Sequence, residues 1–486
     1  MRKTLFITLI SLLALTIGNS QTNISGGIYA NTTWTLANSP YIVTDTVVVF
    51  PGVTLTIQPG VIVKFNNAVQ LEIRQARLIA IGTHTDSITF TSNTSQTPSS
   101  WDEIILNGGT MTSKFNYCKF RYASKGLFVG GSTDSVIIKN SNFNYNTIGL
   151  YGGGAYEIVD TCNFTHNSSG TTTIGNAVLN YCNFLNNSSA IYDSQFSTIN
   201  NCVIKNNGTG FGGGKANKIN NSSINYNQTA ISCGRGCSIN NCTVIHNQSG
   251  IITGNTIHDD GVKIKNTTVD SNAVVGIEIS NRGDSIFSCQ IKYNGVGMID
   301  NNGDNSWPTF ITQNRIENNS IGLQLVFTSD NIYCNKICNN TSYDLKYSGT
   351  NNFTIANNYW CTTDSASISA LIYDGYDNTN LGLVNFMPLD TSCYLTIPTT
   401  GINNYESPVF SFDIFPNPVS DFLTVILPTN ISKSIIKIYN IIGELKYSST
   451  QTKQKTDIDV TTLTSGIYMI QIVTGERIGM QKFIKQ

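Results

Sequence analysis

From Cys118 to Asn340 the chain repeats one short phrase of fixed polarity: a cysteine or small polar residue, a polar residue, an apolar residue and, three positions later, an asparagine. The apolar positions are Phe120, Phe143, Phe164, Phe184, Ile204, Ile224, Val244, Val269, Ile291, Ile316 and Ile337, in steps of about twenty residues. From Phe143 onward each is answered by an asparagine: Asn146, Asn167, Asn187, Asn207, Asn227, Asn247, Asn272, Asn294, Asn319 and Asn340. The runs between are short, β-prone and broken by Gly, Asn and Ser, with no apolar pattern at helical spacing. Such a period belongs to a solenoid, in which a single repeat cannot bury its own apolar face and closes its core against its neighbours. Three short strands joined by tight bends fill one turn, and successive coils lie about 4.8 Å apart, as in any sheet.

In that geometry the asparagines form a column. An inward Asn offers an amide donor and an acceptor to the bend backbone or to the Asn one coil away, and Asn also tolerates the left-handed backbone of a sharp bend. Asn207 belongs to the column and Asn217 lies outside it, so Asn207→Leu is expected to be the more damaging change. With this period and column the segment resembles the right-handed parallel β-helix proteins, the superfamily that includes pectate lyases and many bacterial surface proteins. The implied fold class is all-β, a right-handed parallel β-helix solenoid, here followed by a small Ig-like antiparallel β-sandwich.

The coils begin upstream. Tyr41 to Phe65 carries alternating apolar runs parted by Pro51-Gly52 and Pro59-Gly60, and resembles the opening coils of secreted bacterial β-helix proteins. Two longer steps admit insertions, one at Ile257-His258-Asp259-Asp260-Gly261 and one from Asp300 to Pro308, where loops project from a rigid scaffold. Beyond Asn357-Asn358-Tyr359-Trp360-Cys361, Asp364 suits a helix N-cap, and Ile368, Leu371 and Ile372 share one helical face. A short helix there is expected to close the open end of the coil. The parts are then a signal peptide at 1–20, a β-helix with its cap at 21–393, a linker at 394–409 and a separate domain at 410–486.

The last part changes texture. Alternation in Leu423-x-Val425-x-Leu427 and Tyr468-x-Ile470-x-Ile472 predicts a small antiparallel sandwich. Pro416, Asn417, Pro418, Gly443, Gly466 and Tyr468, with Lys482 and Lys485 at the basic end, resemble the C-terminal type A sorting domain of the type IX (Por) secretion system of Bacteroidetes-like bacteria. The resemblance implies the secretion machinery as partner, and a place at the outer cell surface or outside the cell. Residues 1–20 agree: Arg2 and Lys3, an apolar run from Leu5 to Ile17, then small residues before Gln21. No later segment is long and apolar enough to span a bilayer.

Composition narrows the function classes. Charged residues are 12% of the chain, about half the usual share, and 29 basic residues face 30 acidic ones. There is no basic field for nucleic acid. Of the 12 cysteines, Cys118, Cys162, Cys182, Cys202, Cys242 and Cys289 stand two residues before an apolar position and are expected inside as small thiols. Cys233 and Cys237, or Cys334 and Cys338, share a four-residue offset that suits a local disulfide; no zinc spacing, other metal motif or cofactor motif is found.

Chemistry on this scaffold would need a pair of carboxylates, or a base with cations against a uronate. The candidates are Asp259 and Asp260, beside His258, Lys263 and Lys265, and Asp300 with Asp304. None matches a catalytic or calcium-loop motif, and acidic residues in Gly/Asn loops are ordinary turn formers. His166 and His246 share a column with Tyr and Asn, and Trp34, Trp101, Trp307 and Trp360 suit core or cap packing. The reading that follows is a surface β-helix protein that binds glycans or other partners. The rival is a polysaccharide lyase or glycoside hydrolase with its site in the loops around 257–265 and 300–308.

Overall fold

The structure, a computed structural model, describes residues 21–109, 111–131, 135–254, 260–280, 282–301, 308–326, 330–393, 412–427, 434–440, 445–474 and 477–486. The expected signal peptide (1–20) and linker (394–409) lie outside these residues. The chain divides at Pro398/Thr399 into two compact units.

The first unit is a parallel β-solenoid. Each coil contributes three strands, for example Val178–Asn180, Asn183–Leu185 and Ser189–Ser194, which we call stacks 1, 2 and 3. Stack 1 is a 14-stranded sheet running from Thr32–Trp34 to Asn331–Tyr333, and stacks 2 and 3 join in a 29-stranded sheet. Register is strict: Phe120 pairs with Phe143, Phe143 with Phe164, Phe164 with Phe184, and Phe184 with Ile204. The stacked rings lie 4.5, 4.8 and 4.8 Å apart, the sheet spacing itself, so identical side chains repeat their contacts coil after coil. Trp34, Trp101 and Trp360 are buried in the same core.

Each coil bends sharply where one residue enters the left-handed region. At the 1/2 corner these include Asn140, Tyr181, Asn201 and Asn221, and at the 2/3 corner Tyr145, His166, Asn186 and Asn206. The left-handed residue is thus the one preceding each column asparagine, not the column asparagine itself. The column residues turn inward instead. Each accepts from the backbone and side-chain amides of the preceding one: Asn207 Oδ1 takes Asn187 N at 2.9 Å and Asn187 Nδ2 at 3.0 Å. This run passes without a break from Asn146 to Asn340, where Asp344 Oδ1 ends it.

A second inward column stands at the 3/1 corner: Glu157, Ala177, Ser197, Asn217, Cys237, Val262, Asp284, Thr309 and Asp330, each two residues before a core position of stack 1. Asn217 is therefore not a neutral control for Asn207. It is fully buried, and its Oδ1 accepts from Ser194 Oγ at 3.0 Å and Ser197 N at 3.1 Å.

The end cap differs in detail from the expectation. Asp364 accepts from Ser367 N at 3.0 Å and starts a helix at Ser365–Ser369, but Ile372 belongs to a strand, paired with Leu345. Cross-coil pairing takes over before a second helical turn forms. The second unit is an antiparallel sandwich: a three-stranded sheet of Asp413–Phe415, Phe422–Ile426 and Lys455–Asp459, and a four-stranded sheet of Ser434–Asn440, Leu445–Gln451, Gly466–Thr474 and Arg477–Lys485. Val425, Ile438, Ile470 and Phe483 are among its core residues.

Candidate functional site

The two insertions leave the solenoid at one corner, 3/1, between the third strand of a coil and the first strand of the next. Asp259 and Asp304 lie outside the described residues. Asp260 is exposed, and its carbonyl accepts from Gly236 N. Asp300 ends the strand Val296–Asp300 and points inward, 1% exposed, two residues after buried Met298. It faces Asp330 of the following coil. Burial, and then the negative charge of Asp300, push Asp330 up to about 8, as expected of two carboxyls forced to share a proton. Asp330 Oδ1 also accepts from Thr309 N at 3.2 Å. Asp300 thus sits in the solenoid interior, beyond reach of a bound polymer, and does not converge with exposed Asp260.

Glu157, in the same inward column, is fully buried with neither carboxylate oxygen bonded, and burial pushes it up to about 8. Space for it is left by Gly152, where a Cβ would stand 2.8 Å from Oε1.

The cysteines add no reactive centre at the surface. Cys118, Cys162, Cys182, Cys202, Cys242 and Cys289 are buried thiols, and burial pushes Cys242 and Cys289 up to about 12, far from the thiolate a nucleophile requires. Neither local disulfide forms. Cys233 and Cys237 are buried thiols joined by a hydrogen bond, which holds Cys237 low and Cys233 high. Cys334 pairs with Cys393 and Cys338 with Cys361, because their nearest neighbours lie in the next layer: Cys334 N donates to Asn357 O, and Lys336 bridges to Tyr359. Among the described residues one metal-like cluster occurs, Cys334 with Asp390 and Cys393, and its two sulfurs are bonded to each other.

Outside the insertions, the outward face of stack 1 has a distinct character over its last six strands. Two rows run along it, Lys218–Ser238–Lys263–Ser285–Phe310–Asn331 and Asn220–Asn240–Lys265–Phe287–Thr312–Tyr333. Neither row contains an acidic residue. Lys218, Lys263 and Lys265 are exposed, as are Phe310 and Tyr333, and Lys265 Nζ lies 5.1 Å from the centre of the Phe287 ring. Strand spacing puts Lys218 and Lys263 about 10 Å apart, two sheet steps. Sequence reading singled out Lys263 and Lys265 but missed Lys218, Phe310 and Tyr333, whose common face follows only from the register.

In the terminal sandwich, Asn417 ties the last strand: its Nδ2 donates to Lys482 O at 3.1 Å and its Oδ1 accepts from Ile484 N at 2.9 Å. Pro416 and Pro418 flank it with cis peptide bonds. Tyr468 is buried, its hydroxyl donates to Thr464 O at 2.9 Å, and its ring stacks on Phe483. Gly466 precedes it at φ 157, Lys482 is exposed, Lys485 is half-buried, and Gly443 lies outside the described residues.

Comparison with known proteins separates the two units. No curated protein matches the chain. Among solved structures, the catalytic domain of a GH87 α-1,3-glucanase in complex with tetrasaccharides is similar at 12% identity and a TM-score of 0.38, over 70% of this chain and 64% of that domain. The A-module of the Azotobacter vinelandii mannuronan C-5 epimerase AlgE6 is similar at 11% identity and a TM-score of 0.27, over 71% of this chain and 90% of that module. The enzymatically active domain of bacteriophage CBA120 tailspike protein 4 is similar at 10% identity and a TM-score of 0.24, over 90% of this chain and 59% of that domain. Likenesses this distant assign no activity. Residues 413–486 match the family described as the secretion system C-terminal sorting domain, Por_Secre_tail. A parallel β-solenoid of about fourteen turns is therefore followed by a sorting domain that directs the chain to type IX export, to the cell surface or beyond.

Proposed function

We propose that this protein is an exported glycan-binding solenoid, and that the outward face of stack 1 holds an anionic polysaccharide. The observation that carries the reading is the pair of rows on that face, where three lysines and three aromatic rings lie in register with no acidic residue between them. A chain of acidic sugars laid along the solenoid axis meets the lysines first, at Lys218 and then Lys263 and Lys265, and the rings Phe287, Phe310 and Tyr333 after them, the two contacts suited to uronate or sulfate groups and to the apolar faces of pyranoses. Binding is favoured over catalysis because Asp300 is buried and paired with Asp330, which leaves exposed Asp260 without a described carboxylate partner.

Affinity electrophoresis tests the reading. Gels containing polygalacturonate, alginate or heparin are expected to retard the protein, neutral dextran gels are not, and the retardation should fade with added salt. The Lys218→Glu, Lys263→Glu, Lys265→Glu variant should run unretarded at an unchanged melting temperature, since surface substitutions cost within about 0.5 kcal/mol. Release of unsaturated or reducing ends from any of these polymers, lost in Asp259→Ala, Asp260→Ala, would instead favour the enzymatic reading.

Export is proposed to begin at a cleaved signal peptide over 1–20 and to require the sandwich, with exposed Asn417, Gly466 and Lys482 on the surface that the machinery reads and buried Tyr468 supporting it from within. In a host with type IX secretion, a chain ending at residue 409 is expected to fold and remain in the periplasm while the full chain reaches the surface. Cell fractionation that finds the shortened chain outside would refute the assignment.

A further inference from the structure

A different corner of the solenoid carries a groove whose residue choice the fold does not explain. At the 2/3 corner each coil passes through one left-handed residue, and Asn, which adopts that backbone readily, fills it at Asn186, Asn206, Asn318 and Asn339. Elsewhere the same position holds Ser271 and the rings Tyr122, Tyr145, His166, Tyr226, His246 and Tyr293, the rings with φ between 55 and 65. Rings in this conformation gain little from the core in return: Tyr145, Tyr226 and Tyr293 are 44%, 47% and 57% exposed. They form platforms instead. Tyr145 stacks on His166 at 5.0 Å and Tyr226 on His246 at 5.1 Å, and Asn186 with Asn206 separates the two pairs by two coils.

Beside the second pair lies an open groove of about 450 Å³, lined by Asn206, Gly208, Tyr226, Gln228, His246 and Gln248. Its volume falls within the ~300–1,000 Å³ of small-molecule sites. Gln228 and Gln248 are exposed and project amides, each both donor and acceptor. No carboxylate lines it. Lys205 Nζ lies 5.0 Å from the centre of the Tyr226 ring.

We propose that this groove binds a neutral hexopyranose unit of a glycan chain, with the apolar face of the sugar against the Tyr226–His246 platform and its hydroxyls bonded by Asn206, Gln228 and Gln248. A ring seated on Tyr226 displaces the Lys205 ammonium, which is long enough to bond a hydroxyl in turn. The site is independent of the basic face of stack 1: it lies at another corner and selects by stacking and amide bonding rather than by charge.

Titration calorimetry with hexasaccharides of glucose, mannose and galactose tests it on the full chain. The informative variant is Tyr226→Asn, His246→Asn, because Asn already occupies this backbone position in other coils and keeps the fold. Wild type is expected to give saturable heat with at least one hexasaccharide, and the variant to bind about tenfold more weakly for each ring lost, at an equal or higher melting temperature. The Lys218→Glu, Lys263→Glu, Lys265→Glu variant should bind as wild type does, which separates this site from the anionic one. The proposal is overturned if no neutral hexasaccharide gives saturable heat, or if the Asn variant keeps its affinity. A variant that melts lower with unchanged affinity assigns the rings to coil packing and overturns it equally.

Discussion

Asn207→Leu is expected to lower the melting temperature of the solenoid more than any surface change. Asn207 Oδ1 accepts from Asn187 N and Asn187 Nδ2, and its own amide donates to Phe184 O, Lys205 O and Asn227 Oδ1. Leucine removes the acceptor of Asn187 N and one acceptor of Asn187 Nδ2, which keeps Phe164 O and Leu185 O, and takes one donor from Asn227 Oδ1, which keeps the backbone N of residue 207. An orphaned buried amide such as Asn187 N costs about 1–3 kcal/mol, which sets the order of the loss. Coils are stabilised by their neighbours, so the damage spreads along the axis before it weakens. Asn217→Leu, in the second inward column, should cost a comparable amount. Thr198→Leu, outward on stack 1, should stay within about 0.5 kcal/mol. Thermal unfolding of the three variants followed by circular dichroism measures this. Equal midpoints for Asn207→Leu and Thr198→Leu would contradict the buried column.

The second large effect is on pH. Glu157 titrates near 8 in the folded chain because burial disfavours its charge, against an ordinary value of 4.5 once unfolded. Between those two values the folded state holds a proton that the unfolded state has released, so stability is full below about pH 4.5 and falls as the pH rises toward 8. The slope is about 1.4 kcal/mol per pH unit for one proton. Asp330, held near 8, and Asp344, near 6, act in the same direction. The protein is therefore expected to melt highest in mild acid and to lose stability toward pH 8. Glu157→Gln keeps the side-chain length and removes the ionisation, so it should flatten the curve and raise the midpoint at pH 8. Melting temperatures that rise from pH 5 to pH 8 in the parent chain would contradict the buried, neutral state of Glu157.

The coil period and the inward Asn position were legible because one residue type repeats at one place, and a repeat of single residues is what sequence shows best. The second column was not legible, because Glu, Ala, Ser, Asn, Cys, Val, Asp and Thr all occur there and only Asp comes twice. Only parity gives it away: Glu157-x-Val159 and Asp284-x-Ile286 put each acid on the same side as a core residue. The same alternation in Met298-x-Asp300 places Asp300 inside, although its Asn- and Gly-rich sequel reads as an exposed loop. The Cys338–Cys361 bridge spans 23 residues, close to one coil, and a search at coil spacing rather than at local offsets would have found it; Cys334–Cys393, at 59, depends on how the cap folds back. The basic and aromatic rows were hidden for a related reason. Lys218, Lys263, Phe310 and Tyr333 are far apart in sequence and become neighbours only once the strands are in register.

Hydrogen–deuterium exchange of the protein, with and without an anionic hexauronate, tests the binding face most directly. Slowed exchange is expected on stack 1 from Lys218–Asn220 to Asn331–Tyr333, strongest around Lys263–Lys265 and Phe310–Thr312, with stacks 2 and 3 unchanged. Saturating hexauronate that leaves stack 1 unprotected, or that protects only the Tyr226–His246 corner, would contradict the assignment of that face.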